Sequence, residues 1–176
     1  MSKSIFFVMG VSGSGKSSIG EGISVYLSID YVDSDDYHPA SNLEKMRNNI
    51  PLTDEDRAPW LDALNKLATE CIEKERSLVI ASSCLKPSYR ARLQNGIEEN
   101  VVFIYLKGSL EKIHERMLSR KNHYFSGEDM LKSQFAALVE PQPQEPIDFI
   151  EIDINQRNIQ ETIDATITGL RSEAYI

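Results

Sequence analysis

The sequence predicts a single α/β domain built in three layers, a five-stranded parallel sheet flanked by helices. Three observations predict it. Short apolar runs alternate with segments of helical period from end to end, which calls for parallel strands joined by helical crossovers. The first run, Ile5–Met9, is apolar throughout rather than alternating, as a strand covered on both faces must be. The 176 residues contain no linker, repeat or low-complexity tract that would divide them, and that length suits one core.

Each element has its own signal. After Ile5–Met9 a Gly/Ser loop spans Gly10–Gly15, and from Lys16 the spacing of Ile19, Ile23 and Leu27 is helical. Ile29–Val32 reads as the second strand. Ser41 with Glu44 is a capping-box pattern, opening a short helix through Arg47. Residues 49–58 are polar, interrupted by Pro51, and read as a loop. Pro59 suits a first helical position ahead of the apolar face Leu61, Leu64, Leu67, Ala68 and Ile72. Leu78–Ala81 is the third strand, and Pro87 opens a helix that ends near Asn95-Gly96. Val101–Leu106 is the fourth strand, followed by a helix marked by Leu110, Ile113, Met117 and Leu118. Residues 121–127 read as a polar and aromatic loop. Ser126 and Asp129 pattern as a capping box for a helix through Val139, after which Pro141, Pro143 and Pro146 exclude regular structure. Phe149–Ile154 is the fifth strand, and Ile159, Ile163, Ile167 and Leu170 form the face of a closing helix.

Composition removes several classes of function. Lys and Arg number 19 against 27 Asp and Glu, a net charge of −8, with no long basic run; nucleic acid is therefore not an expected partner. With 41% hydrophobic and 26% charged residues the chain is globular rather than disordered. No stretch approaches the ~20 apolar residues that span a bilayer, so no membrane partner is expected. The N-terminal apolar run stops at Gly10 without a small-residue cleavage site, and a cytoplasmic location is expected. Cys71 and Cys84 match no metal-ligand spacing and read as buried, reduced thiols.

Gly10-Val-Ser-Gly-Ser-Gly15-Lys16-Ser17 fits G-x-x-x-x-G-K-[ST] in full, with an apolar strand before it and a helical period after it. Such glycines let successive backbone N–H groups point at phosphate oxygens, and the helix N-terminus adds partial positive charge. Gly10, Ser12, Gly13, Ser14, Gly15, Lys16, Ser17 and Ser18 are thus the expected contacts to the phosphates of ATP. Lys16 reaches the terminal phosphates, and the Ser17 hydroxyl is a ligand for Mg²⁺.

The second strand leads into Asp33-Ser34-Asp35-Asp36. A carboxylate at a strand's C-terminal end beside the phosphate loop is placed to hold the metal, a role assigned to Asp33. If the extended backbone continues, Asp35 faces the same cleft and can orient an acceptor hydroxyl and take its proton; Asp36 reads as solvated. Arg116 and Arg120 lie one helical turn apart, in a segment (107–121) with five Lys/Arg against two Glu, a local +3. Both are expected to close over the transferring phosphoryl group, with Lys16, Asp35 and Arg120 carrying catalysis. Arg57, Lys86 and Arg90, in polar stretches near the strand ends, are candidates to attract an anionic acceptor.

These residues together resemble gluconate kinase of the thermoresistant type, a small P-loop kinase similar in architecture to shikimate kinase and the nucleotide kinases. The resemblance runs from Val8 to about Ile154. It rests on the phosphate loop, on Asp35-Asp-Tyr-His-Pro39 with Asn42 and Lys45-Met46, and on Pro51-Leu-Thr-Asp-Glu-Asp-Arg-Ala-Pro-Trp60. Ser83-Cys-Leu-Lys86, Tyr89-Arg90, Arg120-Lys-Asn-His-Tyr-Phe125, Leu131, Ser133-Gln-Phe135, Leu138 and Glu140-Pro141 extend it. Two departures stand out: Asn122-His-Tyr-Phe125 where the family often has Gly-His-Phe, and Asp33-Ser34-Asp35 where it has Asp-Gly-Asp.

The resemblance implies a P-loop kinase fold with a mobile lid at about 120–128 and ATP- and Mg²⁺-dependent phosphorylation of D-gluconate. It also implies a cytoplasmic homodimer feeding the pentose phosphate or Entner–Doudoroff routes. Similarity to shikimate kinase adds Asp33 near the metal, Asp35 on the acceptor hydroxyl, Arg57 on the acceptor carboxylate and Arg120 in the lid. His38 and His123 become candidate gluconate contacts, and the loop around Asn155-Gln156 a border for adenine. Two other readings compete: a kinase for shikimate or a nucleoside monophosphate, and a nucleotide-dependent switch with no acceptor site.

Overall fold

A computed structural model describes residues 2–119 and 127–176. Ile5–Met9 forms β1, and all five of its residues are buried. Successive side chains of a strand point to opposite faces, so this one run feeds two cores. Ile5, Phe7 and Met9 pack with Trp60, Leu61, Leu64 and Leu93 on one side. Phe6 and Val8 pack with Ile19, Ile23, Ile167 and Leu170 on the other.

The sheet has the strand order β2-β3-β1-β4-β5, with β2 at Asp30–Asp33, β3 at Leu78–Ala81, β4 at Val101–Lys107 and β5 at Phe149–Asp153. Every pairing is parallel, and Ile5 stands between Leu78 and Val101. Phe7 stacks on Phe103 of the neighbouring strand with ring centroids 5.2 Å apart. The predicted five-stranded, three-layer architecture is therefore the one observed. Helices α3 (Asp54–Glu73) and α4 (Pro87–Gln94) cover one face. Helices α1 (Lys16–Leu27), α5 (Leu110–Leu118), α6 (Gly127–Ala137) and α7 (Ile159–Ser172) cover the other, and α2 (Ala40–Arg47) is tied to the start of α3 through Asn42, which donates to the Asp56 carbonyl. Because β1 lies in the middle, the loop leaving its C-terminal end opens at the centre of the sheet, where parallel α/β sheets bind ligands.

Besides one-residue shifts in the bounds of β2, β4 and β5, the elements differ from expectation in four places. The chain does not stay extended after β2: Ser34–Tyr37 is a 3₁₀ turn, with Asp33 Oδ1 accepting from the Asp35 N–H at 2.9 Å. Helix α2 begins after Pro39, with no side-chain cap, rather than at Ser41. Helix α3 begins at Asp54, inside the segment expected to be a loop, because Thr53 and Asp56 form a reciprocal cap: Thr53 Oγ1 accepts from the Asp56 N–H at 3.1 Å and Asp56 Oδ2 from the Thr53 N–H at 2.9 Å. Pro59 thus lies in the second turn, where its missing N–H removes the bond to the carbonyl of Glu55. Helix α6 ends at Ala137, two residues short of Val139, while Ser126, its expected cap, lies outside the described residues.

Cys71 and Cys84 are free and buried, as expected, and burial pushes the Cys84 thiol up to about 12. Among the described residues no helix is long and apolar enough to cross a membrane.

Candidate active site

The phosphate loop owes its shape to close neighbours. Gly13 and Gly15 have φ of +80° and +98°, in the region that favours glycine. A Cβ on Gly13 would lie 2.6 Å from Met117 Cγ, and one on Gly15 would lie 3.2 Å from Arg116 Nη1. Helix α5 therefore supports the loop from behind. Arg116 donates to the Ser14 carbonyl at 3.0 Å and to the Arg157 carbonyl at 2.8 Å, bridging the loop to the chain between β5 and α7. The α1 ladder opens with the Ile19 N–H on the Gly15 carbonyl, and neither a side-chain cap nor an acidic residue occupies the first turn. That leaves the helix N-terminus suited to an anion. Lys16 Nζ lies across the loop, donating to the carbonyls of Gly10 and Val11 at 3.1 Å each.

In front of the loop is a cleft of about 410 Å³. Its walls include Ser12, Gly13, Gly15, Lys16 and Ser17 from the loop, and Asp33 and Asp35 from the turn after β2. Ser17 Oγ donates to Asp33 Oδ2 at 3.4 Å. Two hard oxygen donors at this spacing fit Mg²⁺, which takes one or two protein ligands and fills its shell with water and phosphate oxygens. Gly10, Ser14 and Ser18 do not line the cleft. The Ser14 side chain is fully buried, and the Gly10 N–H donates to the Ser83 carbonyl at 3.3 Å. Gly10 and Ser14 thus shape the loop rather than face its contents.

Asp33 and Asp35 share the cleft because of the 3₁₀ turn, not through strand alternation. Trp60 holds that turn: its Nε1–H donates to the Ser34 carbonyl at 2.7 Å. Asp35 is 72% exposed, yet the surrounding protein strips enough solvent from it that its pKa is raised, with the Asp33 charge adding to the effect and His38 and Lys16 opposing it. His38 stacks on Trp60 at 4.2 Å between centroids. Its Nδ1 faces the Asn42 amide nitrogen at 3.2 Å and so accepts, which leaves the proton on Nε2, 3.8 Å from Asp35. Burial lowers the His38 pKa, with Arg57 assisting against Asp35. The His38 side chain is only 4% exposed and does not line the cleft, so it supports Asp35 rather than offering itself to a ligand.

The three expected acceptor cations part company. Arg57 and Lys86 converge on Tyr89, 5.6 and 5.4 Å from its ring centroid. Asp54 accepts from Tyr89 Oη at 2.5 Å and from Lys86 at 3.3 Å, and Arg57 also donates to the Leu52 carbonyl at 2.7 Å. Arg90 is a correction. It is fully buried, paired through Nε and Nη2 with both carboxylate oxygens of Glu145 at 2.7 and 2.8 Å, and its remaining donors reach the carbonyls of Cys84 and Val139. The helical phase of α4 turns it inward, where it ties α4 to the proline-rich segment. Arg120 and His123, with most of the expected lid, lie outside the described residues. Asn155 Oδ1 accepts from the Ser109 N–H at 2.8 Å, fixing the loop expected to border adenine.

Comparison with known proteins bears directly on this site. The thermosensitive gluconokinase of Escherichia coli K12 is 43% identical over 168 residues, covering 94% of this chain and 88% of that protein. The chain belongs to the gluconokinase family. The thermoresistant gluconokinase of the same organism is 42% identical over 152 residues, covering 86% of this chain and 85% of its own length, so the likeness spans both heat-stability types. A family model described as shikimate kinase matches residues 12–171. The crystal structure of a gluconokinase from Sinorhizobium meliloti 1021 superposes with a TM-score of 0.85 at 35% identity, covering 98% of this chain and 93% of that one. The chain is accordingly a kinase of the ATP-using P-loop fold.

The cleft is also lined by Ser82 and Ser83, from a polar stretch that the sequence itself offers to an acceptor, and by Ser34, Met46, Ala81, Met117, Met130 and Gln134, which carry no such offer. Ser82 and Ser83 follow a strand end, a position that does signal a ligand-facing loop. The methionines carry no such signal. The Arg90–Glu145 pair yields a prediction: Arg90→Ala costs roughly 3–5 kcal/mol in denaturant unfolding, while the Michaelis constant for the acceptor, measured on folded enzyme, stays unchanged. A loss below about 1 kcal/mol with a raised acceptor constant would return Arg90 to the substrate site.

Proposed function

We propose that the protein transfers the terminal phosphoryl group of ATP to the 6-hydroxyl of D-gluconate, forming 6-phospho-D-gluconate. The observation that carries this reading is the single cleft lined by Lys16, Ser17, Asp33 and Asp35. The similarity to proteins named gluconokinase over 94% of the chain supports the choice of acceptor. The proposal extends to Mg²⁺ and, on the family resemblance, to a cytoplasmic homodimer.

In this reading the loop N–H groups and the N-terminus of α1 hold the phosphates, and Lys16 neutralises charge on the terminal ones. Ser17 and Asp33 would hold Mg²⁺, which supplies further charge neutralisation on the phosphate oxygens. Asp35 accepts a hydrogen bond from the acceptor hydroxyl and aims its oxygen at the terminal phosphorus. As the new P–O bond forms, the bond to the bridging oxygen of ADP breaks, and the hydroxyl proton passes to Asp35. The raised pKa of Asp35 makes it a better proton acceptor than an ordinary aspartate. Arg57 and Lys86 supply positive charge on the acceptor side, suited to a sugar acid's carboxylate. Arg116 steadies the loop from behind, and Arg120 and His123 complete the proposed set.

A switch protein needs one carboxylate beside its phosphate loop to hold the metal; the second, Asp35, with its Trp60–Ser34 and His38–Asp35 supports, favours a kinase with an acceptor. A coupled ADP-release assay tests the acceptor: gluconate is expected to sustain turnover while shikimate and nucleoside monophosphates do not. Turnover with shikimate but not gluconate would overturn the reading. Asp35→Asn is expected to lower kcat by about 10² or more while the Michaelis constant for ATP changes little. A mutant of near-normal kcat would remove Asp35 from the chemistry.

A further inference from the structure

One N–H of the phosphate loop has a partner from a distant part of the chain. The Ser12 N–H donates to Gln134 Oε1 at 2.6 Å, and Gln134 lines the cleft together with Lys16, Asp33 and Asp35. Helix α6 is fixed so as to hold it there. Leu131 is fully buried, Phe135 packs against the same core, and just beyond the helix the Val139 N–H donates to the Leu85 carbonyl at 2.8 Å. Ser12 shares the cleft with Lys16, Ser17, Asp35 and Ser83, and neither Arg116 nor Arg157 lines it. A phosphoryl group held at the Ser12 N–H would thus share one cleft with an acceptor at Asp35.

We propose that Gln134 is a direct contact for the transferable phosphoryl group, a role that rests on the reading of the loop as an ATP site. Its neutral amide oxygen satisfies the Ser12 N–H. A phosphate oxygen makes a charge-assisted bond roughly twice as strong and takes that donor. Rotation of the amide then turns Nε2, with two N–H donors, toward the same phosphoryl oxygens. Glutamine can do both. Glutamate has the same shape and can accept from Ser12, but it sets a negative charge against the incoming phosphate. Alanine can do neither.

The test is calorimetric titration of the full chain with ADP and with a non-hydrolysable ATP analogue, alongside steady-state kinetics. Gln134→Glu is expected to weaken the analogue by about tenfold or more through like-charge repulsion, with ADP affected less than about threefold. Gln134→Ala is expected to lower kcat by about tenfold or more at an unchanged melting temperature. Both variants binding the two nucleotides in the wild-type ratio, with wild-type kcat, would overturn the proposal and leave Gln134 a packing residue. Wild-type protein that binds neither nucleotide would overturn the phosphate-loop reading itself, and this inference with it.

Discussion

A backbone that exposes several N–H groups to one cleft, instead of spending them on its own carbonyls, is unstable unless its surroundings hold it open. The turn between β1 and α1 is that backbone, and much of the fold serves it. Complete burial of Ile5–Met9 between two cores makes β1 a rigid post. Met117 and Arg116 on α5 press against Gly13 and Gly15 so closely that side chains there would collide. The Gly10 N–H is tied to Ser83 at the end of β3. Strand β1, helix α5 and the end of β3 thus converge on six residues of loop.

The opposite wall is built by a second chain of supports. The cap at Thr53 starts α3 early enough to bring Trp60 under the Ser34 carbonyl, and the same indole carries His38, whose Nε2 faces Asp35. Asn42 links this group to the helix start by donating to the Asp56 carbonyl at 2.8 Å. His38-Pro39 and Leu52–Trp60 are in this way one structural unit, and that unit aims a carboxylate. Net charge is a poor guide to such a site. The chain carries −8, but residues 140–176 hold eight acids against two arginines, and exposed charges beyond about 8 Å are largely screened. Lys16 and the N-terminus of α1 act within the cleft itself.

Much of this was legible in the sequence, for reasons that also explain the rest. The strands and the phosphate loop are local patterns: an apolar run, glycines at fixed spacing, a helical period. Strand alternation would bring Asp33 and Asp35 to one cleft, but a 3₁₀ turn does it instead. The start of α3 was missed because Asp56 replaces the usual Glu of a capping box and Pro59 looked like a first helical residue. Arg90 was misplaced because its partner, Glu145, lies 55 residues further on, and no local pattern reports that pairing. Gln134 stood out only as part of the Ser133-Gln-Phe135 segment; its bond to Ser12 depends on how α6 packs.

The central claim is that one cleft brings the terminal phosphate of ATP and the 6-hydroxyl of gluconate together at Asp35. A crystal structure with a non-hydrolysable ATP analogue, Mg²⁺ and D-gluconate tests it most directly. The account predicts the 6-hydroxyl oxygen within about 3.2 Å of an Asp35 carboxylate oxygen, facing the terminal phosphorus. Gluconate bound elsewhere, or with its 6-hydroxyl turned away from Asp35, would contradict it.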